Sequence, residues 1–302
     1  MSKLKKKAGF AVLVGRPNVG KSTFLNNILG KKVSIISKVP QTTRFSIRGI
    51  FNDPRGQIVF VDTPGIYLSN QHLMKFLSSR SFSAKDEGDV VLYMVDLSRH
   101  PGREEAEVLS QLWELKKPVI MLLNKRDIGQ KYADDYIKLW KDAVGDNKDP
   151  LKYFIPISAL ESVGLDEVLT TVFEHLPVSE PLYPPDVDSD LPDKLFMSDV
   201  IREKIFNHMK KEVPHSVAVK VDNIEERENK TLFIQATIIV ERDSQKAIVI
   251  GKKGNILKEV GREARLELQE VFARRMYLEL WVKVQKDWQK NMETLRELGY
   301  IL

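Results

Sequence analysis

The sequence predicts two domains of different class. Residues 1–176 read as an α/β domain on a mostly parallel, doubly wound sheet, and residues 194–302 as a smaller α+β domain, with a proline-rich linker at 177–193. Three observations carry this reading. Five short, β-rich apolar runs (10–14, 58–61, 90–95, 119–123 and 153–157) are separated by stretches long enough for a helix, the pattern of strands buried on both faces of a parallel sheet. Residues 176–192 hold five prolines and four acids with no apolar period, which suits a semi-rigid linker or a docked strap. Beyond them the order becomes helix, strand, strand, helix, helix, strand. The length of 302 residues fits two domains at about 150 residues each.

Taken in order, residues 10–14 form the first strand. The lysines at positions 3, 5, 6 and 7 imitate the start of a secretory signal, but the apolar run is short and leads into Gly15-Arg16-Pro17 with no cleavage site. Residues 45–51 and 58–61 flank the turn sequence Asn52-Asp53-Pro54-Arg55-Gly56, so they form a hairpin that adds one antiparallel strand. The runs at 90–95, 119–123 and 153–157 complete the sheet. In the second domain a helix at 195–209 precedes strands at 217–224 and 232–240. Val217, Val219 and Val221 alternate with Ala218, Lys220 and Asp222, so one face of that strand is buried. Helices at 244–250 and 255–272, a strand at 277–284 and a helical tail follow. Tyr277 and Trp281 are expected to pack in a core or interface rather than to stack bases.

Composition removes several function classes. With 42% hydrophobic and 29% charged residues, the chain is neither disordered nor collagen-like. The absence of cysteine excludes disulfides, thiolate metal sites and cysteine nucleophiles, and fits a reducing cytoplasm. His72, His100, His175, His208 and His215 lack metal-ligand spacing. No apolar run reaches the ~20 residues of a membrane-spanning helix. The net charge of +5 divides unevenly, +6 over residues 1–176, −4 over 177–194 and +3 over 195–302, and neither folded half is basic enough to announce nucleic acid by itself. Locally, however, Lys246, Lys252, Lys253, Lys258 and Arg262 face only Glu259 across residues 246–262, a patch suited to RNA.

The chemistry sits in four segments. Gly15-Arg16-Pro17-Asn18-Val19-Gly20-Lys21-Ser22, followed by Thr23, satisfies G-x-x-x-x-G-K-[ST] between a predicted strand and helix. Its backbone N–H groups are expected to wrap phosphates, Lys21 to reach the β- and γ-phosphates, and Ser22 to ligate Mg²⁺. Asp62-Thr63-Pro64-Gly65 ends the second parallel strand, where the carboxylate holds the metal shell and the Gly65 N–H meets the γ-phosphate. Asn124-Lys125-Arg126-Asp127 and Ser158-Ala159 end the last two strands. Asp127 can accept both N1–H and the N2 amino group of guanine, and adenine offers neither, so the nucleotide is GTP/GDP rather than an adenine nucleotide.

These residues, in this order, resemble the translation-factor class of P-loop GTPases over residues 8–176. The resemblance implies that Asn124 and Asp127 read the base, that Lys125 packs on it, and that the Ser158-Ala159 backbone contacts guanine O6. It implies a first switch at 31–44, ending Pro40-Gln41-Thr42-Thr43-Arg44, in which Thr43, or failing that Thr42, completes the Mg²⁺ shell. The catalytic set is then Lys21, Thr43, Asp62 and Gly65, with Ser22, Thr43 and Asp62 at the metal. Ile66 stands where Ras-like proteins place a water-orienting glutamine, so intrinsic turnover is expected to be slow. The resemblance further implies a K⁺ ion near Asn18 in place of a cationic finger. Arg44 is the alternative cation, or else a solvated loop arginine or an RNA contact.

In the second domain Gly251-Lys252-Lys253-Gly254 separates two predicted helices in the order β-β-α-GXXG-α-β, which resembles a type II KH domain. Ile250, Gly251, Lys252, Lys253, Gly254 and Lys258 are its candidate RNA contacts. Lys258, Arg262 and Arg265 share one helix face, which either tracks phosphates or is simply solvated. Leu182-Tyr183-Pro184, Ile201-Arg202-Glu203-Lys204-Ile205 and Val213-Pro214-His215-Ser216-Val217-Ala218-Val219 extend the likeness. With the GTPase motifs, they make the chain from about residue 8 to 300 closely similar to the Era family of bacterial GTPases with a C-terminal KH domain. That likeness implies binding of 16S ribosomal RNA near its 3′ end, a role in 30S subunit assembly, a cytoplasmic location and loose peripheral contact with the inner membrane. A DNA partner is not expected. The competing readings are a metabolic kinase, disfavoured by guanine selectivity, and a membrane-linked GTPase whose KH-like domain binds protein.

Overall fold

The computed structural model describes residues 5–37, 39, 42–64, 88–113, 115–145, 149–209 and 216–300. The chain divides into two compact units, one of residues 1–34 and 43–190, the other of residues 35–42 and 191–302.

The first unit is built on a six-stranded sheet in the order β2-β3-β1-β4-β5-β6. Its strands are β1 (Lys7–Val14), β2 (Ile47–Asp53), β3 (Gly56–Asp62), β4 (Val90–Asp96), β5 (Val119–Asn124) and β6 (Leu151–Pro156). All neighbours are parallel except β2 and β3, the hairpin that the turn at 52–56 predicts. β3, β4 and β5 are buried along their whole length, as apolar strands covered on both faces must be. Helices α1 (Lys21–Leu29), α2 (Arg103–Leu112) and α3 (Ala133–Val144) lie in the connections between strands, and α4 (Leu165–His175) follows β6. Val12, Tyr93, Met121, Val108 and Trp140 share one core cluster. β1 pairs with β3 on one side and β4 on the other, so the chain leaves the sheet at a topological switch point. In open α/β sheets, ligands bind beyond the carboxyl ends of the strands at such a point.

The proline-rich segment is docked on this unit. Ile50 N–H donates to Asp188 O at 2.9 Å, and the Gln57 side chain accepts the Leu182 and Tyr183 N–H groups at 2.8 and 2.9 Å while donating to Tyr183 O. Arg48 pairs with Asp190 at 3.2 Å. Its register is set by backbone bonds to the start of β1 and to β2, among them Ser179 N–H to Lys6 O at 3.2 Å and Asp190 N–H to Arg48 O at 3.3 Å, together with the side chains of Arg48 and Gln57.

The second unit contains α5 (Asp193–His208), β7 (Ala218–Glu226), β8 (Leu232–Val240), α6 (Asp243–Ile250), α7 (Asn255–Phe272), β9 (Met276–Val284) and α8 (Met292–Glu297). Its sheet runs β7-β8-β9, antiparallel then parallel. The expected tail is a single 3₁₀ turn, Trp288–Lys290, followed by α8. Val217, Val219 and Val221 are core, together with Val200, Ile201, Val260 and Ile35. Tyr277 and Trp281 are not: they are 54% and 61% exposed. Met276, Leu278, Leu280 and Val282 pack towards the helices, so the odd-numbered positions of β9 occupy the opposite face of an edge strand.

Candidate functional site

The loop from Gly15 to Ser22 leaves β1 at the switch point and enters α1. Gly20 has φ +109, and a Cβ there would lie 2.3 Å from Asn124 Nδ2, so the turn requires glycine. Asn18 also holds a positive φ, of 61°, uncommon outside glycine and concentrated at functional loops. Lys21 is buried, and its Nζ donates to Gly15 O at 3.0 Å and Arg16 O at 2.9 Å. Burial lowers its pKa to about 8 against the opposing pull of Asp62. An ammonium capping two loop carbonyls is poised to exchange them for an anion. The Arg16 side chain turns inward to Glu105, so only the backbone of Arg16 lines the loop. Thr23 continues α1 half-buried, and Val19 is buried in the core.

Three oxygens converge at the carboxyl end of β3. Ser22 Oγ lies 2.7 Å from Asp62 Oδ2 and 3.0 Å from Thr43 Oγ1. Asp62 is fully buried, and burial raises its carboxyl pKa against the opposing effects of Lys21, Ser22 and Ser34. Asp62 Oδ1 has no partner among the described residues. A buried carboxylate oxygen without a donor, beside two hydroxyls, fits a hard cation such as Mg²⁺. Thr42 is directed elsewhere, its hydroxyl donating to Val39 O at 2.7 Å. Thr63 donates to Leu13 O at 2.7 Å, fixing the β3 end against β1. Pro64 is buried; Gly65, Ile66, Pro40 and Gln41 lie outside the described residues. Arg44 is 1% exposed, which removes the solvated-arginine reading.

Sequence reasoning missed Ser34 and Asn26. Ser34 Oγ donates to Asp62 Oδ2 at 3.0 Å, and the Asn26 side chain accepts the Val33 and Ser34 N–H groups and donates to Ser34 O. No local pattern marks them, because the contact joins α1, the switch and β3.

At the ends of β5 and β6, Asn124 ties two loops together. It donates to Val19 O at 2.6 Å and accepts the Ala159 N–H at 2.9 Å. Its carboxamide therefore sets the distance between the phosphate loop and the Ser158-Ala159 turn. Lys125, at φ 69°, extends its Nζ to Asp96 at 2.6 Å. Burial works to raise the Asp96 carboxyl, but hydrogen bonds from Lys125 and Ser98 outweigh it and hold the group below the usual carboxylate range. Asp96 was also missed, although it ends an apolar strand run as Asp62 and Asn124 do. Asp127 is exposed and accepts Ser158 Oγ at 2.6 Å, which leaves its other carboxylate oxygen for a ligand.

In the second unit α6 ends at Gly251, and α7 begins after Gly254. A Cβ on Gly251 would lie 2.6 Å from Asn255 and Ile256, at φ +74, so this corner too requires glycine. Lys253 holds φ 54° between them. Lys252, Lys253 and Lys258 are exposed, and Ile250 is half-buried beneath them. Of the helix face beyond, Arg262 is paired with Glu259 at 2.8 Å and Arg265 with Gln269 at 3.0 Å. The lysines at the loop, more than the arginines of α7, are placed to meet a phosphate backbone. Among the described residues there is no cluster of metal-binding side chains outside these loops, and no helix is long and apolar enough to cross a membrane.

Comparison with known proteins places this geometry. Residues 10–125 match the family of 50S ribosome-binding GTPases, and residues 212–289 match the KH domain. GTPase Era of Geobacter metallireducens is 43% identical over 296 residues, covering 97% of this chain and 98% of that protein. GTPase Era of Heliobacterium modesticaldum is 40% identical, with 98% of each chain covered. A crystal structure of Era in complex with MgGDPNP and nucleotides 1506–1542 of 16S ribosomal RNA superposes with a TM-score of 0.92 at 40% identity, covering 98% of this chain and 100% of that one. An Aquifex aeolicus Era variant bound to GDP and AlF4⁻ superposes with a TM-score of 0.90 at 42% identity, with the same coverage.

Proposed function

The chain belongs to the Era family of GTPases, and from that premise we propose that it is a GTP-hydrolysing switch that grips 16S ribosomal RNA near its 3′ end and acts in 30S subunit assembly. The observation that carries the nucleotide half is the convergence of Ser22, Thr43 and the unpartnered Asp62 oxygen beside a capped Lys21. The RNA half rests on the glycine-cornered loop with two exposed lysines in a domain that matches the KH family, and on a similar protein, Era, having been solved in complex with nucleotides 1506–1542 of 16S ribosomal RNA.

In this reading the loop amides of residues 15–22 and Thr23 hold the α- and β-phosphates, and Lys21 leaves the Gly15 and Arg16 carbonyls for the γ-phosphate. Ser22, Thr43 and Asp62 would hold Mg²⁺, which when bound would supply charge neutralisation for the triphosphate. Asp127 accepts the two guanine donors, Lys125 is held flat by Asp96, and the Ser158-Ala159 turn closes the base edge. With Ile66 in place of a water-orienting glutamine, turnover is slow. Asn18 would hold a K⁺ ion that would supply the missing positive charge, and equal hydrolysis rates in potassium and sodium buffers would remove this reading. Lys3, Lys5 and Lys6 supply the peripheral contact with the cytoplasmic face of the inner membrane, which co-sedimentation with anionic liposomes tests; Lys7, expected to join them, instead donates to Phe173 O and Glu174 O.

The test is crosslinking of the full chain to total cellular RNA with a GTP analogue bound. Reads should accumulate at the 3′ end of 16S rRNA and disappear with Lys252→Ala/Lys253→Ala. Equal binding of adenine and guanine nucleotides, or reads spread without preference, sinks the reading.

A further inference from the structure

Arg16 follows Gly15 in the phosphate loop, and its carbonyl is one of the two that receive Lys21. Its guanidinium is 6% exposed, an unusual state for a loop arginine. There its Nε pairs with Glu105 of α2, NH1 lies 3.8 Å from Glu104, and NH2 donates to the Tyr136 hydroxyl of α3 at 3.3 Å. Glu105 is itself buried, and its other oxygen accepts the Gly102 N–H at 2.8 Å, closing the first turn of α2. The connection from β4 to α2 thus ends in the residue that holds the phosphate loop. It begins at Asp96, the residue that holds Lys125 on the base side.

We infer that Arg16 and Glu105 are a positioning pair: they fix the phosphate loop to the start of α2, so the affinity for guanine nucleotides depends on an ion pair set behind the binding groups. The physical case is one of economy. A buried ion pair adds little stability over apolar residues of the same volume, because both charges lose their water. What it does supply is a fixed direction, since a planar guanidinium held on several sides admits one orientation. The amides of the loop wrap phosphates only if the backbone at residues 15–16 keeps its place, and small displacements in such a site are costly. The inference rests on reading residues 15–22 as the phosphate loop.

The experiment compares the parent chain with Glu105→Gln, Arg16→Lys and Arg16→Met/Glu105→Gln by GDP and GTP-analogue titration, thermal melting and hydrolysis kinetics. The double variant should melt near the parent, because both charges leave together. Its Kd for GDP and for the GTP analogue should rise by the same factor, roughly ten- to hundredfold. Arg16→Lys keeps the charge, loses the simultaneous contacts with Glu105 and Tyr136 and should lose GDP affinity in the same direction. Glu105→Gln should raise KM for GTP far more than it lowers kcat, the signature of lost uniform binding. Should Arg16→Lys and the double variant bind GDP as the parent does, the pair serves only the fold and the inference is overturned. A parent chain that binds no GDP would instead refute the phosphate-loop reading, a separately visible result.

Discussion

Lys21 shows how burial turns a binding residue into a pH-dependent one. Its pKa in the ligand-free site is about 8, because burial disfavours the ammonium. A triphosphate beside it favours the charged form, so the bound state keeps its proton to higher pH. Below about pH 8 both states are protonated and affinity is flat; above it the free site loses the proton first, and affinity falls by about tenfold per pH unit. Titrating a GTP analogue between about pH 7 and 9.5 checks this, and constant affinity across that range refutes it. The threonines give a second expected outcome. Thr43→Ala should lower GTP hydrolysis by about a hundredfold, the cost of one preorganised group. Thr42→Ala should change it little, because Thr42 Oγ1 serves Val39 O. From the chain alone both threonines remained open, since neighbours in a loop are told apart only by what their side chains meet. Asp62, Lys21 and Asn124 were legible because each ends a strand or sits at a fixed spacing in a motif.

Elements differ in how openly the sequence announces them. The loop Lys252–Gly254 and α7 (Asn255–Phe272) follow from two glycines and a helical period, and their contribution to RNA binding is measurable as charge. Replacing Lys252 and Lys253 by alanine should weaken RNA binding and reduce the slope of log K against log salt by about 1.4, two phosphate contacts at about 0.7 each for single strands. An unchanged slope would remove these lysines from the interface. Helix α5 was expected at 195–209 and spans Asp193–His208, but its burial on nearly every side was not expected from a stretch with almost no amphipathic bias. Arg202 in its middle is 1% exposed, paired with Asp199 at 2.7 Å and donating to Tyr300 Oη at 3.1 Å. Arg202→Met should destabilise the second unit by about 3–5 kcal/mol in urea unfolding, since Asp199 would remain buried without its partner. The same arginine donates to Thr42 O at 2.6 Å, and Glu203 accepts the Ile36 N–H at 3.2 Å. The switch segment is thereby built into the second unit, which no periodicity announces.

For the whole molecule, the consequence is that residues 35–42 belong to one unit and Thr43, one residue later, to the other. Thr43, beside Ser22 in the site proposed for Mg²⁺, and Thr42, held by Arg202, share a peptide bond, so occupancy at the nucleotide is expected to bias the second unit. RNA affinity at fixed salt should therefore differ between the GTP-analogue and GDP states, and Arg202→Lys should narrow the difference. Identical affinity in both states would refute the coupling. The sequence by itself determined the two fold classes, the GTPase motifs and the glycine-cornered loop between two helices, because strand and helix periods and the spacing of motif residues are local properties of contiguous residues. Only the tertiary structure decided that Thr43 rather than Thr42 stands beside Ser22, that Ser34 supports Asp62, that Asp96 holds Lys125, and that the switch packs with α5. These partners lie far apart in the chain and meet only where strand ends converge or a helix is enclosed, so distance in space, not order in sequence, defines them.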